Sequence, residues 1–270
     1  MKFILFAVFI FVNLHGIMLV SEYKDQNLSG WVMSEKYDGV RGFWDGENLL
    51  SKNGKQIHAP KWFLDALPPF AIDGELWCGR ENFQKAVSIT ADLNPSDEWR
   101  DIRYMIFDVP NAKGDLHDRL GILEQFLAKN ESKFIIIIAQ IPIKSKSHAF
   151  EFLDEITNKG GEGIVLRDPK APYSHSRSTK ILKLKHFKDS ECEIISINEG
   201  KGRLKGHLGS ITCKDLQSKE IFKIGSGFSD EIRKNGLKIG QIITYKYQNL
   251  TNKNKPRFPV FLRVRSDFDK

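Results

Sequence analysis

The residues with the clearest chemical potential lie in one short stretch, from Ser34 to Arg41. Lys36 follows an apolar run, at the predicted end of a strand, and Gly39 permits a bend beside it. A lysine in that place can face a pocket, where a neutral amine attacks a phosphoryl group and Arg41 forks onto ligand oxygens. The same pattern is also typical of a surface lysine before a β-turn, so these residues alone leave both interpretations open.

Two glutamates lie beside glycines at other predicted strand ends. Glu75 belongs to Asp73-Gly74-Glu75-Leu76, and Glu162 follows a pair of glycines. Two such carboxylates can hold Mg²⁺, which prefers carboxylate, water and phosphate oxygens. Taken singly, each glutamate is more typical of a turn.

A lysine pair and an aromatic ring extend this set of candidates. Lys183 and Lys185 alternate with two leucines, which predicts a strand with both ammonium groups on one face. Such a pair would bind an anion and lower the pKa of a third lysine nearby, although a solvated strand face explains it equally well. Phe107 ends a predicted strand from Trp99, where its ring either stacks on a base or packs in the core.

These segments, taken in order, resemble the ATP-dependent DNA ligases from about residue 29 to the C-terminus. Lys36-x-Asp38-Gly39-x-Arg41 resembles the signature of covalent nucleotidyltransferases. Two further segments, from Leu182 to Asp189 and from Pro256 to Asp267, are similar to motifs of the ligases. The resemblance implies that Lys36 takes AMP from ATP as a phosphoramidate. It also implies a set of nucleotide-binding residues: Glu35, Arg41, Lys52, Glu75, Phe107, Lys183, Lys185, Arg263 and Arg265.

The resemblance further implies that Glu75 and Glu162 bind Mg²⁺ or Mn²⁺, and that the arginines of the tail orient pyrophosphate. Two positions depart from the pattern. Lys52 stands where the family commonly has arginine, which keeps the charge but loses the bidentate fork. Phe268 stands where some relatives carry lysine.

The elements that must position these residues are predicted to form an α+β chain. The resemblance implies an antiparallel-sheet nucleotidyltransferase domain of the ATP-grasp-like ligase type at 21–188, followed by a small OB-fold β-barrel at 189–270. Independently, the residues after Asp189 form five short apolar runs punctuated by glycine, which is typical of a small closed barrel.

The first twenty residues carry one positive charge, on Lys2, followed by a long apolar run. They fit a cleaved secretory signal, an uncleaved membrane anchor or a buried first element, and the short apolar core favours the signal. We therefore expect a periplasmic protein without stable membrane association after processing, with an open cleavage site. This leader and the lean architecture resemble those of minimal bacterial ligases that are exported.

Composition favours a polyanionic partner. The 270 residues include 41 Lys+Arg and 34 Asp+Glu, a formal net charge of +7. We expect a monomer that binds nicked duplex DNA mainly through phosphates. The cysteines, Cys78, Cys192 and Cys213, are widely spaced, which argues against a zinc site or a disulfide framework and leaves at least one free thiol.

Two other functions use the same features. An RNA ligase or a capping guanylyltransferase employs the same lysine chemistry with a different nucleic acid or nucleotide. A basic barrel protein that binds nucleic acid without catalysis is the other alternative. The co-occurrence of the candidate lysines and glutamates argues against loss of activity.

Overall fold

The computed structural model describes residues 17–251 and 253–265. The chain divides into two compact units, and the division lies between Leu184 and Lys185. The predicted domain limits, 21–188 and 189–270, stay a prediction at the level of single residues. Each unit has its own apolar core.

Two five-stranded sheets form the framework of the first unit. Its strands are β1 (Leu19–Glu22), β2 (Val32–Glu35), β3 (Val40–Trp44), β4 (Leu49–Ser51), β5 (Ile72–Trp77), β6 (Arg103–Asp108), β7 (Ile135–Ile137), β8 (Ile141–Pro142), β9 (Ile164–Arg167) and β10 (Arg177–Leu184). One sheet has the order β1-β10-β9-β2-β8 and the other β4-β3-β5-β6-β7. The pairs β1–β10 and β6–β7 are parallel, and the other pairs are antiparallel, as predicted for this unit.

Helices cover these sheets and close the cores. They are α1 (Lys61–Leu64), α2 (Phe83–Ala91), α3 (Leu116–Leu127) and α4 (Lys146–Asn158). Helix α3 begins with a capping box, in which Asp115 accepts from the backbone of Asp118 and the Asp118 side chain accepts from the backbone of Asp115. Helix α4 packs Leu153 and Ile156 into the core beneath β9 and β10.

The strand predicted from Trp99 to Phe107 starts later than expected. Residues Asp97–Asp101 form a 3₁₀ turn, in which the Ser96 side chain accepts from Glu98 N, and β6 begins at Arg103. The serine satisfies an exposed backbone donor and starts a helical turn, so Trp99 enters the core from that turn.

The second unit is a curled five-stranded sheet. Its strands are β11 (Lys188–Glu199), β12 (Leu208–Asp215), β13 (Ile221–Ile224), β14 (Ile242–Tyr247) and β15 (Val260–Val264), in the order β13-β12-β11-β14-β15. Phe261 N donates to Ser226 O (3.0 Å), which draws β15 towards the chain just after β13. A short helix, α5 (Asp230–Asn235), lies between β13 and β14 and was not predicted. The observed fold is α+β, with a strand-rich unit followed by a small barrel-like unit, as predicted.

The spacing of the cysteines argued against a disulfide framework, and it did not reveal one disulfide that the structure contains. Cys192 of β11 and Cys213 of β12 form a disulfide inside the core of the second unit. Strand pairing brings the two residues together although 21 positions separate them, which spacing alone does not reveal. Cys78 is a free thiol, in agreement with the odd count.

The predicted leader of residues 1–20 falls mainly on residues 1–16, outside the described ones. Its last residues belong to the fold, because β1 begins at Leu19 and pairs with β10, and Met18 is buried. Within residues 17–251 and 253–265, no helix has the length and apolar character needed to span a bilayer.

Candidate active site

Lys36 directly follows β2 and is held there by both backbone and side chain. Its backbone N–H donates to Gly163 O (2.8 Å), next to β9. Its Nζ lies 2.6 Å from Glu162 Oε2, and both side chains are largely shielded from solvent. Gly39 is required at the bend after Lys36, since a Cβ there would meet the carbonyl oxygen of Leu76 on β5. The strand end and glycine bend predicted around Lys36 are therefore present.

The charge state of Lys36 differs from the prediction. Burial lowers its pKa, but the nearby carboxylates of Glu162, Glu75 and Asp38 more than offset this effect, so the pKa is raised above its ordinary value. The lowered pKa expected for the nucleophilic lysine is therefore not found. In the nucleotide-free protein Lys36 is an ammonium group held by Glu162.

Glu75 lies on β5 beside this ion pair. Burial raises its pKa to about 7, while the charges of Lys36 and Arg41 act in the opposite direction. Gly74, the residue before it, lies against the backbone of β6, where a Cβ would press on Met105 O. The carboxyl group of Glu75 is thus held in a tight, weakly hydrated position and titrates near neutral pH.

Arg41 already has protein partners on all its guanidinium nitrogens. Nε and Nη2 donate to the buried carboxylate of Asp73 (2.8 and 2.5 Å), and Nη1 donates to Met18 O (2.8 Å). Tyr173 OH donates to the same carboxylate (2.6 Å). The guanidinium carbon lies 4.8 Å from the centroid of the Phe107 ring. Arg41 therefore builds the pocket wall and supports Phe107, besides offering its remaining N–H groups to a ligand.

Glu35 has a bidentate partner that the sequence did not indicate. Arg80 Nε and Nη2 donate to the two carboxylate oxygens of Glu35 (2.9 and 2.7 Å). This pair fixes the end of β2 directly before Lys36. Lys52 lies in the exposed turn after β4 and still lines the same pocket.

One cavity of about 320 Å³ connects these side chains. Predicted residues on its wall are Glu35, Lys36, Arg41, Lys52, Glu75 and Phe107. Sequence reasoning missed several others, namely Met18, Leu19, Val20, Ile138, Gln140 and Arg167. The first three were assigned to a leader because they continue its apolar run, and the others carry no motif.

The predicted lysine pair is divided between the two units. Lys183 lies on β10 opposite Val165, on the face of the sheet that also presents Ile181 to the cavity, and its Nζ is 3.4 Å from Glu22 Oε1. Lys185 belongs to the second unit and donates to Gln248 Oε1 (2.9 Å). The leucines that alternate with them are buried, as predicted.

Arg263 and Arg265 also belong to the second unit. They line a cavity of about 460 Å³, together with residues of β11 and β14. Arg265 forms an ion pair with Glu191. In this unit Arg265 is thus held by a carboxylate of its own barrel.

Comparison with known proteins decides the family. The family model of the ATP dependent DNA ligase domain matches residues 18–185, and that of the DNA ligase OB-like domain matches residues 199–265. A DNA ligase of Haemophilus influenzae is 44% identical over 255 residues, which cover 94% of each chain. This chain belongs to the ATP-dependent DNA ligases.

Solved structures agree with that assignment. A structure from a structure–function study of DNA binding by Lig E DNA ligases has a TM-score of 0.86 and 36% identity, and the match covers 93% of this ligase and 99% of that chain. The Chlorella virus DNA ligase-adenylate, at 24% identity and a TM-score of 0.54, covers 93% and 98% and shows the same fold. The predicted family and fold class are confirmed, and ATP is the cosubstrate that the family implies.

The residues around Lys36 in this ligase fit a magnesium ion with few protein ligands. Glu75 and Glu162 both lie near Lys36, and the cavity lined by Lys36 and Glu75 leaves room for phosphate oxygens and water, which Mg²⁺ retains in such sites. The described residues contain no group of three or more His, Cys, Asp or Glu side chains arranged for a metal. A metal at this place would therefore depend on its nucleotide for further ligands.

Proposed function

We propose that this ligase seals nicks in duplex DNA between a 5′-phosphate and a 3′-hydroxyl, through an AMP group carried on Lys36. The observation that carries the proposal is the position of Lys36, which lines the cavity of about 320 Å³ while its amine lies 2.6 Å from Glu162 Oε2. Family membership makes ATP the source of AMP.

Glu162 controls the first step through the proton on Lys36. While the ion pair persists the amine is protonated and cannot attack. When the carboxylate of Glu162 turns to another cation, burial becomes the dominant effect and the pKa of Lys36 falls. A bound Mg²⁺ would supply such a cation and would offset charge on the phosphates.

The neutral amine of Lys36 then attacks the α-phosphorus of ATP. A P–N bond forms, the bond from phosphorus to the pyrophosphate oxygen breaks, and pyrophosphate leaves. Phe107, supported by Arg41, provides an aromatic face for the base, and Glu75 and Lys52 offer groups for the ribose and the phosphates. Binding the nucleotide in one orientation supplies much of the rate.

Two transfers to DNA complete the reaction. A 5′-phosphate oxygen takes the AMP from Lys36 and forms a diphosphate linkage, which restores the amine. The 3′-hydroxyl then attacks the 5′-phosphate, AMP leaves, and the backbone is sealed. Both ends of the nick must be held in register for this step, so the preferred substrate is duplex DNA with a single break.

The test is transfer of label from α-labelled ATP to the protein, followed by sealing of a labelled nicked duplex. Wild type should retain an acid-labile label and seal the nick, and Lys36→Ala should do neither while still binding DNA. Lys129→Ala, an exposed lysine on the same unit, is the matched control and should behave as wild type.

Three results would contradict the proposal. Sealing by Lys36→Ala at the wild-type rate would show that the reaction does not pass through AMP bound to Lys36. Label taken from GTP in preference to ATP would favour capping chemistry, and a preference for nicked RNA would favour an RNA ligase. An intact-mass measurement of the purified protein identifies AMP that is already bound.

We also propose that the protein acts in the periplasm as a monomer. The apolar N-terminal run supports export, and the disulfide between Cys192 and Cys213 favours an oxidising compartment. Because β1 pairs with β10 and Met18 is buried, we place the proposed processing site before Met18. Repair of DNA outside the cytoplasm is the role that this location would suit.

A further inference from the structure

One half-buried amide on the cavity wall is not used by the reaction described above. Gln140 lies directly before β8 and lines the cavity that contains Lys36. Its Nε2 donates to Ile138 O (3.0 Å). That carbonyl oxygen can only accept, so it fixes which end of the amide carries the nitrogen.

Strand pairing places Gln140 where a base would lie. Ile138 N donates to Ile106 O (2.8 Å), next to Phe107, so the segment of Gln140 runs beside the ring. In the other direction, Met33 pairs with Ile141, and this register brings Gln140 opposite Ser34, two residues before Lys36. Near Phe107 the cavity wall includes the apolar side chain of Ile138, and Gln140 adds an amide beside it.

The orientation of the amide matches one purine. With its nitrogen held by Ile138 O, Gln140 presents Oε1 as an acceptor, with the second N–H as a donor beside it. Adenine presents the complementary pair, a 6-amino donor next to a ring-nitrogen acceptor. Guanine and hypoxanthine carry an oxygen at position 6, so two acceptors would face each other at Gln140 Oε1. The amide could donate to that oxygen only by turning over, which would break its bond to Ile138 O.

We propose that Gln140 selects adenine in this ligase by accepting a hydrogen bond from its 6-amino group through Oε1. The proposal rests on the proposed function, because it assigns the base of the nucleotide that Lys36 attacks. A site built to bond a substrate N–H disfavours analogues that lack it, since the protein group is then left without a partner. The proton-bearing group at position 6 is thus the feature that Gln140 reads.

The experiment measures the efficiency with which the nucleoside monophosphate is transferred to the protein from three nucleotides: ATP, inosine triphosphate and purine riboside triphosphate, which has no group at position 6. For purine riboside triphosphate the label is placed on the α-phosphate, so all three give the same readout of mass or label. In wild type, ATP should exceed purine riboside triphosphate by about tenfold to a hundredfold, the loss expected for one unmade hydrogen bond at a shielded site.

Gln140→Leu should reduce the efficiency with ATP to the level seen with purine riboside triphosphate, so that the ratio of the two efficiencies lies within about twofold of unity. Leucine keeps the bulk of the side chain and removes the acceptor. Gln140→Glu keeps an acceptor and should retain the preference for ATP over purine riboside triphosphate. Gln125→Leu, the same substitution on the exposed face of α3, is the control and should keep the wild-type ratio.

Several outcomes would overturn the proposal. A Gln140→Leu protein that still prefers ATP by the wild-type factor would show that another group reads the base. Loss of the preference in both Gln140→Leu and Gln140→Glu would show that the amide acts only through its bond to Ile138. Absence of AMP transfer from ATP in wild type would instead contradict the proposed function, so the two failures are distinct.

Discussion

At the scale of single residues, the site stores its reactive amine as an ammonium ion. The carboxylate of Glu162 lies 2.6 Å from Lys36 Nζ, and Glu75 and Asp38 add negative charge nearby. These charges stabilise the protonated lysine in the absence of substrate, although burial opposes it. In the proposed mechanism, Glu162 must therefore move away from Lys36 first, which couples nucleotide binding to activation of the lysine.

Glu75 illustrates the cost of keeping a carboxyl group in this pocket. Burial raises its pKa to about 7 from an ordinary value of 4.5. Between these two pH values the folded protein binds more protons than the unfolded chain, so the free energy of unfolding falls as pH rises. The loss in free energy of unfolding is complete above about pH 7 and absent below about pH 4.5.

Replacement of this group predicts a pH-dependent gain in stability. Glu75→Gln should raise the free energy of unfolding by about 2 kcal/mol at pH 8 and change it little at pH 5, because the amide does not ionise. Denaturant unfolding followed by tryptophan fluorescence measures this, since all five tryptophans lie in the first unit. The same variant should lose AMP transfer.

The control for this prediction is Glu47→Gln in the exposed turn between β3 and β4. It should leave stability unchanged at both pH values. An equal effect of Glu75→Gln at pH 5 and pH 8 would show that ionisation of Glu75 does not contribute to the stability of the pocket.

At the scale of elements, β1 is the least expected part of the site. It pairs in parallel with β10 at the edge of its sheet. The residue before it, Met18, accepts from Arg41 through its carbonyl oxygen, and Met18 N donates to Tyr173 OH (3.4 Å). This strand therefore closes the cavity behind Arg41, so its loss would release the support of Phe107.

Truncation tests the role of β1 and the limit of processing together. A chain that begins at Ile17 should take AMP as the full chain does, and one that begins at Tyr23 should be at least about a hundredfold slower, because Arg41 loses its backbone partner and the pocket loses a wall. The mass of protein recovered from a periplasmic fraction should give an N-terminus at or before Met18. A fully active mature chain that begins after Val20 would contradict both statements.

The sequence predicted the elements that carry strong local signals. Three features were predicted correctly: the lysine at a strand end, the glycine bend and the glutamates beside glycine. Each depends on a backbone conformation that the neighbouring residues favour. The partners Glu35–Arg80 and Arg41–Asp73 were not, since 45 and 32 positions separate them. Pairing of β3 with β5 brings Arg41 to Asp73, and the approach of the two sheets brings Arg80 to Glu35. The same reason explains the disulfide. The start of β1, Leu19 and Val20, lies in the apolar run that was predicted to be a leader.

At the scale of the whole molecule, the chain carries a net charge of +7, and one cluster of exposed positive side chains lies in the second unit. The loop between β11 and β12 exposes three basic side chains among glycines, those of Lys201, Arg203 and Lys205. Glycines allow such a loop to approach a surface closely, and lysine and arginine neutralise phosphates. Contacts of this kind bind DNA without reading its sequence, which suits the proposed nicked substrate.

Removal of these three charges should weaken DNA binding and make it less sensitive to salt. Each phosphate that is no longer neutralised reduces the slope of log K against log salt by about 0.9, so the slope of the triple alanine variant should fall by up to about 2.7. A titration of nicked duplex at several salt concentrations measures this, and AMP transfer from ATP should be unchanged. Alanine at Lys113, Lys129 and Lys144, which are exposed on the first unit, is the charge-matched control. An equal reduction of slope in both triple variants would show that the net charge, rather than the loop of the second unit, determines how the ligase binds DNA.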